Sequence, residues 1–211
     1  MKLISINVSL PTVMGIAGEV VQTGIFKKPV AGLVRVRSLN IDGDGQADLT
    51  VHGGPDKAVY IYPSEHYRFW EQELRRQFPE WGTFGENLTI EGILENDISV
   101  GDCLEIGTVM LQVTQPRLPC FKLAAKLERD DIIKRLLDSR RTGFYTRVLQ
   151  EGSLQAGDKI NVSSRDPQHL TVREITDLYM QKDPDRARIE RALSVAALSA
   201  AWRRHFEKSL V

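Results

Sequence analysis

One cysteine in this chain follows a stiff, proline-bounded segment, an arrangement suited to chemistry at a thiol. In TQPRLPCFKL (residues 114–123), Pro116 and Pro119 each fix the backbone φ angle and remove an N–H donor. If a helix starts at Pro119, Cys120 lies in its first turn, where the helix dipole and the nearby Arg117 would favour the thiolate. A thiolate is the form that binds metals or attacks electrophiles. The segment therefore predicts a metal ligand or a nucleophile, with an inert buried cysteine as the alternative.

The second cysteine, Cys103, lies inside a short predicted strand and fits that inert alternative. Two cysteines are too few for a disulfide scaffold, which favours a reduced, cytoplasmic protein.

The N-terminal stretch lacks the features of a signal peptide. No apolar run reaches the roughly 18 residues of a membrane span, so no membrane partner is expected.

A paired-glycine turn is a candidate anion site. Gly53 and Gly54 begin a tight Gly-Gly-Pro-Asp turn, and such turns can point backbone N–H groups at a ligand. His52 and Lys57 flank the turn, and His66 follows the next strand by one helical turn. The alternative is a plain hairpin turn with a solvated Lys57, because a Gly-Gly turn is a weak signal.

A further polar group stands at the entrance of a later strand, in TFGENLTI (83–90). Gly85 breaks the chain there, and Glu86 and Asn87 follow it. Taken alone, this motif favours a turn in which Asn87 bonds the local backbone.

Other reaction classes find less support in the residues. There is no CxxC, HExxH or HxH for zinc, and no Walker loop or GxGxxG for nucleotides. A Cys-His hydrolase stays possible, with Cys120 and either His52 or His66. Basic and acidic residues balance at 28 each, which does not favour binding to a nucleic acid polymer.

Short alternating or β-branched stretches up to about residue 164 predict a mainly β fold. Many strands at close spacing favour a closed or nearly closed barrel. Peripheral helices are predicted from Ser64 to about Phe78, from near Cys120, and from Asp130 to Ser139.

The sequence becomes helical after Thr171, where Thr171 and Glu174 can form a capping box. Ser199 precedes a last helix with Trp202 and Phe206 on its inner face. We therefore predict a barrel domain at 1–164 and a three-helix segment at 165–211. That segment is too small for a robust core of its own, so it should pack on the barrel or on a second subunit in a homodimer.

Five motifs stand in order along the chain: HGGPDKA (52–58), YPSEHY (62–67), FGENL (84–88), SVGDCLEIG (99–107) and QPRLPCFKL (115–123). Together they resemble the MOSC-domain family, in its bacterial YiiM-like subgroup linked to resistance to 6-N-hydroxylaminopurine. The resemblance implies a MOSC β-barrel that binds molybdenum cofactor (molybdopterin), with Cys120 as the ligand to molybdenum. A soft thiolate suits such a centre.

The resemblance also implies a reaction, and from their side-chain chemistry we infer the further site residues. The reaction is reduction of small N-hydroxylated substrates such as 6-N-hydroxylaminopurine, with electrons from a separate flavoprotein. The alternatives are a sulfur carrier with a Cys120 persulfide, or a carrier of the cofactor without turnover. We expect Cys120, His52 and His66 to be catalytic. The expected cofactor-binding residues are His52, Gly53, Gly54, Lys57, Gly85, Glu86, Asn87, Arg117 and Cys120.

Overall fold

The computed structural model describes residues 1–16, 18–47 and 53–210, so the predicted site residue His52 lies outside the described residues. The strands are β1 Lys2–Val8, β2 Thr12–Ile16, β3 Glu19–Thr23, β4 Lys28–Val30, β5 Val34–Val36, β6 Val59–Pro63, β7 Leu88–Glu91, β8 Cys103–Ile106, β9 Val109–Pro116, β10 Phe144–Gln150, β11 Gly152–Leu154 and β12 Ile160–Ser164. The helices are α1 Glu65–Leu74, α2 Phe121–Leu127, α3 Ile132–Ser139, α4 Val172–Met180, α5 Arg186–Ser194 and α6 Ala200–Lys208.

Eight strands form one mixed sheet in the order β12-β8-β9-β10-β6-β7-β1-β4. The pair β6 and β7 is parallel, and the chain between them passes through α1. The other neighbours are antiparallel. This topology brings the C-terminal end of β9, which leads into Cys120, beside β10, with β6 on the far side of β10.

The predicted closed barrel is not found among the described strands, which form a curled sheet with two edges, β12 and β4. The curl brings the start of β1 against the turn before β12. There Leu3 N donates to Asp158 O at 2.9 Å, and Gly157 N donates to Leu3 O at 2.8 Å. The contact reaches the first residue of β12, since Ile160 N donates to Met1 O at 3.1 Å, but among the described residues it forms an isolated bridge and no strand ladder. The C-terminal helices, in contrast, are present as predicted.

Helix α1 ends earlier than predicted, whereas helix α2 begins near Cys120 as predicted but leaves that residue outside its first turn. Helix α1 ends at Leu74 because Arg75 adopts a left-handed φ of 49°, short of the predicted Phe78. Helix α2 begins at Phe121, so Cys120 is its extended N-cap residue and not part of its first turn. The capping box of Thr171 and Glu174 is confirmed in both directions.

The sheet and the C-terminal helices share one apolar core. Ile175, Trp202 and Phe206 from the helices belong to the same buried cluster as Leu111 and Phe144 from the sheet. The three-helix segment therefore packs on the sheet of its own chain, which is one of the two arrangements that we predicted. The exact boundary between 1–164 and 165–211 stays a prediction.

A second, largely aromatic cluster fills the space between the sheet and helices α1 to α3. Tyr62, Trp70 and Phe84 lie at its centre, and Trp70 Nε1 donates to the Tyr62 hydroxyl at 2.7 Å.

Among the described residues, none of the helices is both long and apolar enough to span a membrane.

Replacing Phe206 by alanine tests the shared core. We expect Phe206→Ala to lower the free energy of unfolding by about 3–5 kcal/mol, because a fully buried ring leaves a cavity. The loss should appear in one cooperative transition, measured by denaturant titration with fluorescence and circular dichroism. Exposed Lys208→Ala in the same helix is the control, with a change under about 0.5 kcal/mol. Two separate transitions would contradict a shared core.

Candidate functional site

A cavity of about 100 Å³ opens at the C-terminal end of β9. Its wall comes from the chain after β3, the loop 44–47, the start of β6, the turn before β7, the segment after β9, and Tyr145 of β10. Five of the predicted site residues line it together: Lys57, Gly85, Asn87, Arg117 and Cys120. The fold thus assembles residues that are far apart in the sequence.

Cys120 is half-buried and held by its backbone at the start of α2. Its φ and ψ are −130° and 171°, and its carbonyl accepts the Leu123 N–H at 2.9 Å. The stiff segment before it is anchored as well, since Arg117 N donates to Gly143 O at 3.2 Å. The thiol therefore has a defined place on the cavity wall.

Gly143 belongs to a chain of buried contacts behind this anchor. Its N–H donates to Glu95 Oε1 at 2.8 Å, and the other Glu95 oxygen pairs with His66 Nε2 at 2.8 Å. Gly143 has a φ of +64°, and an added Cβ would lie 2.5 Å from the Ile61 carbonyl oxygen. His66 is only 2% exposed and lines neither this cavity nor the neighbouring one. The contacts of His66 support the Arg117 backbone, and its direct catalytic role stays a prediction.

The guanidinium of Arg117 is buried at the cavity over an aromatic ring. Its central carbon lies 5.3 Å from the centroid of the Tyr60 ring. Burial lowers the pKa of Arg117, but Tyr60 and Tyr145 raise it, and the net shift is upward. For Tyr145, whose charged form is the anion, burial raises the pKa, so its hydroxyl keeps its proton at neutral pH. The cavity therefore holds a fixed positive charge beside a protonated phenol.

Asn87 lines the cavity within a buried polar group. Its side-chain Nδ2 donates to Asp44 Oδ2 at 2.9 Å, and its Oδ1 accepts the Tyr60 N–H at 3.0 Å. The other Asp44 oxygen pairs with Lys27 Nζ at 2.5 Å. Burial lowers the pKa of Lys27, against the opposing effect of Asp44. These contacts join the loop 44–47 to the strands on either side.

Glu86 lies behind the cavity wall, with its carboxylate occupied inside the protein. It is fully buried and accepts hydrogen bonds from Gly82 N at 2.9 Å, Phe84 N at 3.1 Å, Thr89 Oγ1 at 2.9 Å, and the Tyr67 hydroxyl. These bonds shape the turn that presents Gly85. A direct contact of Glu86 with a ligand stays a prediction.

The paired glycines sit beside the cavity without lining it. Gly54 has a φ of 91°, and its N–H donates to Gln46 Oε1 at 3.1 Å. Gln46 itself lines the cavity. The glycine turn thus holds the loop through Gln46, and anion binding by the backbone of Gly53 and Gly54 stays a prediction.

Sequence reasoning missed several cavity residues, among them Lys27, Lys122 and Tyr145. Lys122 lines the cavity and donates to Gln22 O at 2.9 Å. One turn later, Lys126 donates to Ile25 O at 2.9 Å and to Gly82 O at 2.8 Å. The four-residue spacing of two lysines on the helix after Cys120 was a readable signal, because such residues share a helix face.

Two family models match the sequence, the MOSC domain at residues 48–161 and the YiiM-like, 3-alpha helix domain at residues 170–210. The protein YflK of Bacillus subtilis (strain 168) is 40% identical over 207 residues, covering 98% of this chain and 93% of YflK. The crystal structure of YiiM from Geobacillus stearothermophilus is similar with a TM-score of 0.85 at 38% identity, covering 100% of this chain and 99% of that one.

A more distant relative carries a functional name. A protein of Gibberella moniliformis (strain M3125 / FGSC 7600) called a reductase is 32% identical over 154 residues. The match covers 72% of this chain but 27% of the fungal protein, so most of that protein has no counterpart here.

The titration of Lys126, which lies on α2 outside the cavity lining, gives a test of the buried cations near the cavity. Burial lowers the pKa of Lys126 from 10.5 to about 8. Between these two values the unfolded chain holds a proton that the folded protein has lost, so stability should rise with pH across this window. We expect Lys126→Met to flatten that rise, measured as the free energy of unfolding from pH 7 to 10.5.

Lys134→Met is the matched control, because Lys134 is exposed on α3 and should leave the pH profile of the wild type unchanged. A Lys126→Met protein with the same slope as the wild type would show that Lys126 is not the group that titrates.

Proposed function

Because the chain belongs to the MOSC-domain family and ends in the YiiM-like three-helix domain, we propose that it is a molybdenum-cofactor-dependent reductase of N-hydroxylated compounds. The observation that carries the proposal is the meeting of Cys120, Arg117 and Lys57 in one cavity. It brings a sulfur donor and two cations together, which suits an anionic metal cofactor.

The wall of the cavity fits the expected cofactor in a second respect, because part of it is bare backbone. Gly24, Gly45 and Gly85 all line the cavity. An added Cβ at Gly24 would lie 2.6 Å from Gly45 O, and one at Gly85 would lie 2.9 Å from Ile25 Cγ1. Glycine lets these segments pack closely against one another, so that backbone forms this part of the cavity wall.

Each residue then has a stated task. Cys120 is the proposed protein ligand to molybdenum, and Arg117, Lys57 and Lys122 neutralise the anionic groups of the cofactor. When bound, the cofactor supplies a two-electron couple and a centre that accepts oxygen. Tyr145 keeps its proton on the hydroxyl and can donate a hydrogen bond into the cavity.

The proposed reaction balances as R–NHOH plus two electrons and two protons giving R–NH₂ and water. The N–O bond breaks, the nitrogen is reduced, and the oxygen leaves in water. The electrons would come from a separate flavoprotein partner. The fungal relative called a reductase supports turnover over a role in carrying sulfur or cofactor.

The test compares cysteine variants made in a host that synthesises the cofactor. We expect Cys120→Ala to lose bound molybdenum by roughly tenfold or more, since removing even an outer-shell partner of a metal ligand costs 10–100-fold. Molybdenum is measured by elemental analysis and pterin by fluorescence after oxidation. Reduction of 6-N-hydroxylaminopurine with a chemical electron donor should fall in parallel.

Cys103→Ala is the control, because Cys103 is buried in β8 with its thiol 3.8 Å from Gly101 O. It should keep wild-type metal content and turnover. The proposal fails if the wild type carries no molybdenum, or if Cys120→Ala retains both metal and activity. Bound cofactor without turnover would favour a carrier.

A further inference from the structure

The carboxylate of Asp56 joins the three-helix segment to a cationic part of the cavity wall. Asp56 lies in the short turn Pro55–Lys57 that follows the paired glycines. Its Oδ1 pairs with Arg147 Nη2 of β10 at 2.7 Å, and its Oδ2 accepts the N–H of Ala200, the first residue of α6, at 3.4 Å. A carboxylate is favoured at this end of a helix, because the helix dipole is positive there.

Further bonds hold the same junction through the backbone. Thr114, near the end of β9, donates from Oγ1 to Asp56 O at 2.7 Å, and its own carbonyl accepts the Ser199 N–H at 3.2 Å. Arg147 Nη2 also donates to Ala197 O at 3.0 Å. Both sheet residues therefore bind the turn on one side and the chain around the start of α6 on the other. The turn and the helix are thus placed by the same two side chains.

The residue that follows Asp56 is Lys57, which lines the cavity at Cys120 and a neighbouring cavity of about 330 Å³. The Lys57 backbone is held on both sides, since its N–H donates to Gly54 O at 3.0 Å and its carbonyl accepts Gln46 Nε2 at 3.3 Å. A lysine side chain is flexible, so its direction depends on how firmly its backbone is placed.

Stability alone is a poor explanation for the pair of Asp56 and Arg147. The two side chains are 27% and 28% exposed, and partly exposed ion pairs add little stability. The Arg147 Nε is buried and has no hydrogen-bond partner within the described part of the chain, which costs stability. The arrangement is better suited to fixing a position than to strengthening the fold.

We propose that Asp56 is a positioning residue, whose carboxylate, held between Arg147 and the start of α6, sets Lys57 to face an anion in the cavity. Asp56 itself lines neither cavity, so it acts through its neighbour. The inference rests on the proposed function only in that Lys57 faces an anionic ligand. It makes docking of α6 a condition for a well-placed cation on the wall.

The test measures sulfate binding by calorimetry, on the full chain from a host that does not make the cofactor. We expect Lys57→Met to lower the sulfate affinity by roughly tenfold, the effect of one hydrogen bond to a charged group. Asp56→Asn should lower it by roughly threefold, as part of that contribution is lost. The direction is diagnostic, because removing a nearby negative charge would by itself raise the affinity for an anion.

A double variant shows whether Asp56 acts through Lys57. In the Lys57→Met protein, Asp56→Asn should no longer lower the sulfate affinity, because the two changes affect one interaction. Arg147→Met breaks the same pair from the other side, and its loss of affinity should shrink in the Lys57→Met protein as well. Should Asp56→Asn not fold, the Arg147→Met cycle decides.

Asp177→Asn is the matched control. Asp177 on α4 forms a partly exposed ion pair with Arg140 at 2.6 Å and lines neither cavity. Its replacement removes the same charge from the same class of ion pair, and the sulfate affinity should equal that of the wild type.

The inference is overturned if the wild type binds no sulfate, if Asp56→Asn binds it as tightly as the wild type or more tightly, or if the loss persists in the Lys57→Met protein. Its failure is separable from failure of the proposed function. The expected sulfate pattern in a protein that never carries molybdenum would sink the reductase and keep the role of Asp56. A molybdenum-loaded, active protein without that pattern would sink the role of Asp56 alone.

Discussion

The backbone bond from Arg117 to Gly143 is the constraint on which the site depends. It fixes the segment between β9 and α2, and so fixes both the cation and the thiol that follow. The position of Gly143 is fixed in turn, because its N–H donates to Glu95 and the buried Glu95 is paired with His66. A polar group that is buried and fully partnered adds rigidity, because breaking it would leave an unpaired charge or donor. Rigidity of this kind lets a half-buried cysteine keep one orientation.

Burial of positive charge is the main energetic cost of this architecture. Arg117 and Lys27 are each no more than 9% exposed, and burial opposes the charged form of both. Asp44 compensates Lys27 only in part, and the net shift of the Lys27 pKa stays downward. Arg117 keeps its charge, because the Tyr60 ring and the phenols around it raise its pKa on balance. A cavity with more buried cation than internal anion attracts an anionic ligand, because binding completes the compensation.

Sequence reasoning anticipated much of the site and less of the fold that carries it. Proline geometry and the MOSC-like motifs singled out Cys120 and Arg117, which do share a cavity with Lys57 and Asn87. The tasks of Glu86 and His66 could not be read from spacing, because only the packed structure shows that their polar atoms meet Gly82 and Glu95. The parallel pairing of β6 with β7 and the open sheet edges were equally hidden, since register depends on long-range contacts. His52 lies outside the described residues, so its assignment stays a prediction.

The shared core of sheet and C-terminal helices has a consequence for the order of assembly in the cell. The segment with Cys120 leaves the ribosome before α6, whose Ser199 N-cap bonds to Thr114 O at the end of β9. Until that docking, a nascent chain has its thiol at a surface with one wall missing. A ligand that contacts both Cys120 and α6 can therefore be enclosed only after α6 has been translated and has docked on the sheet.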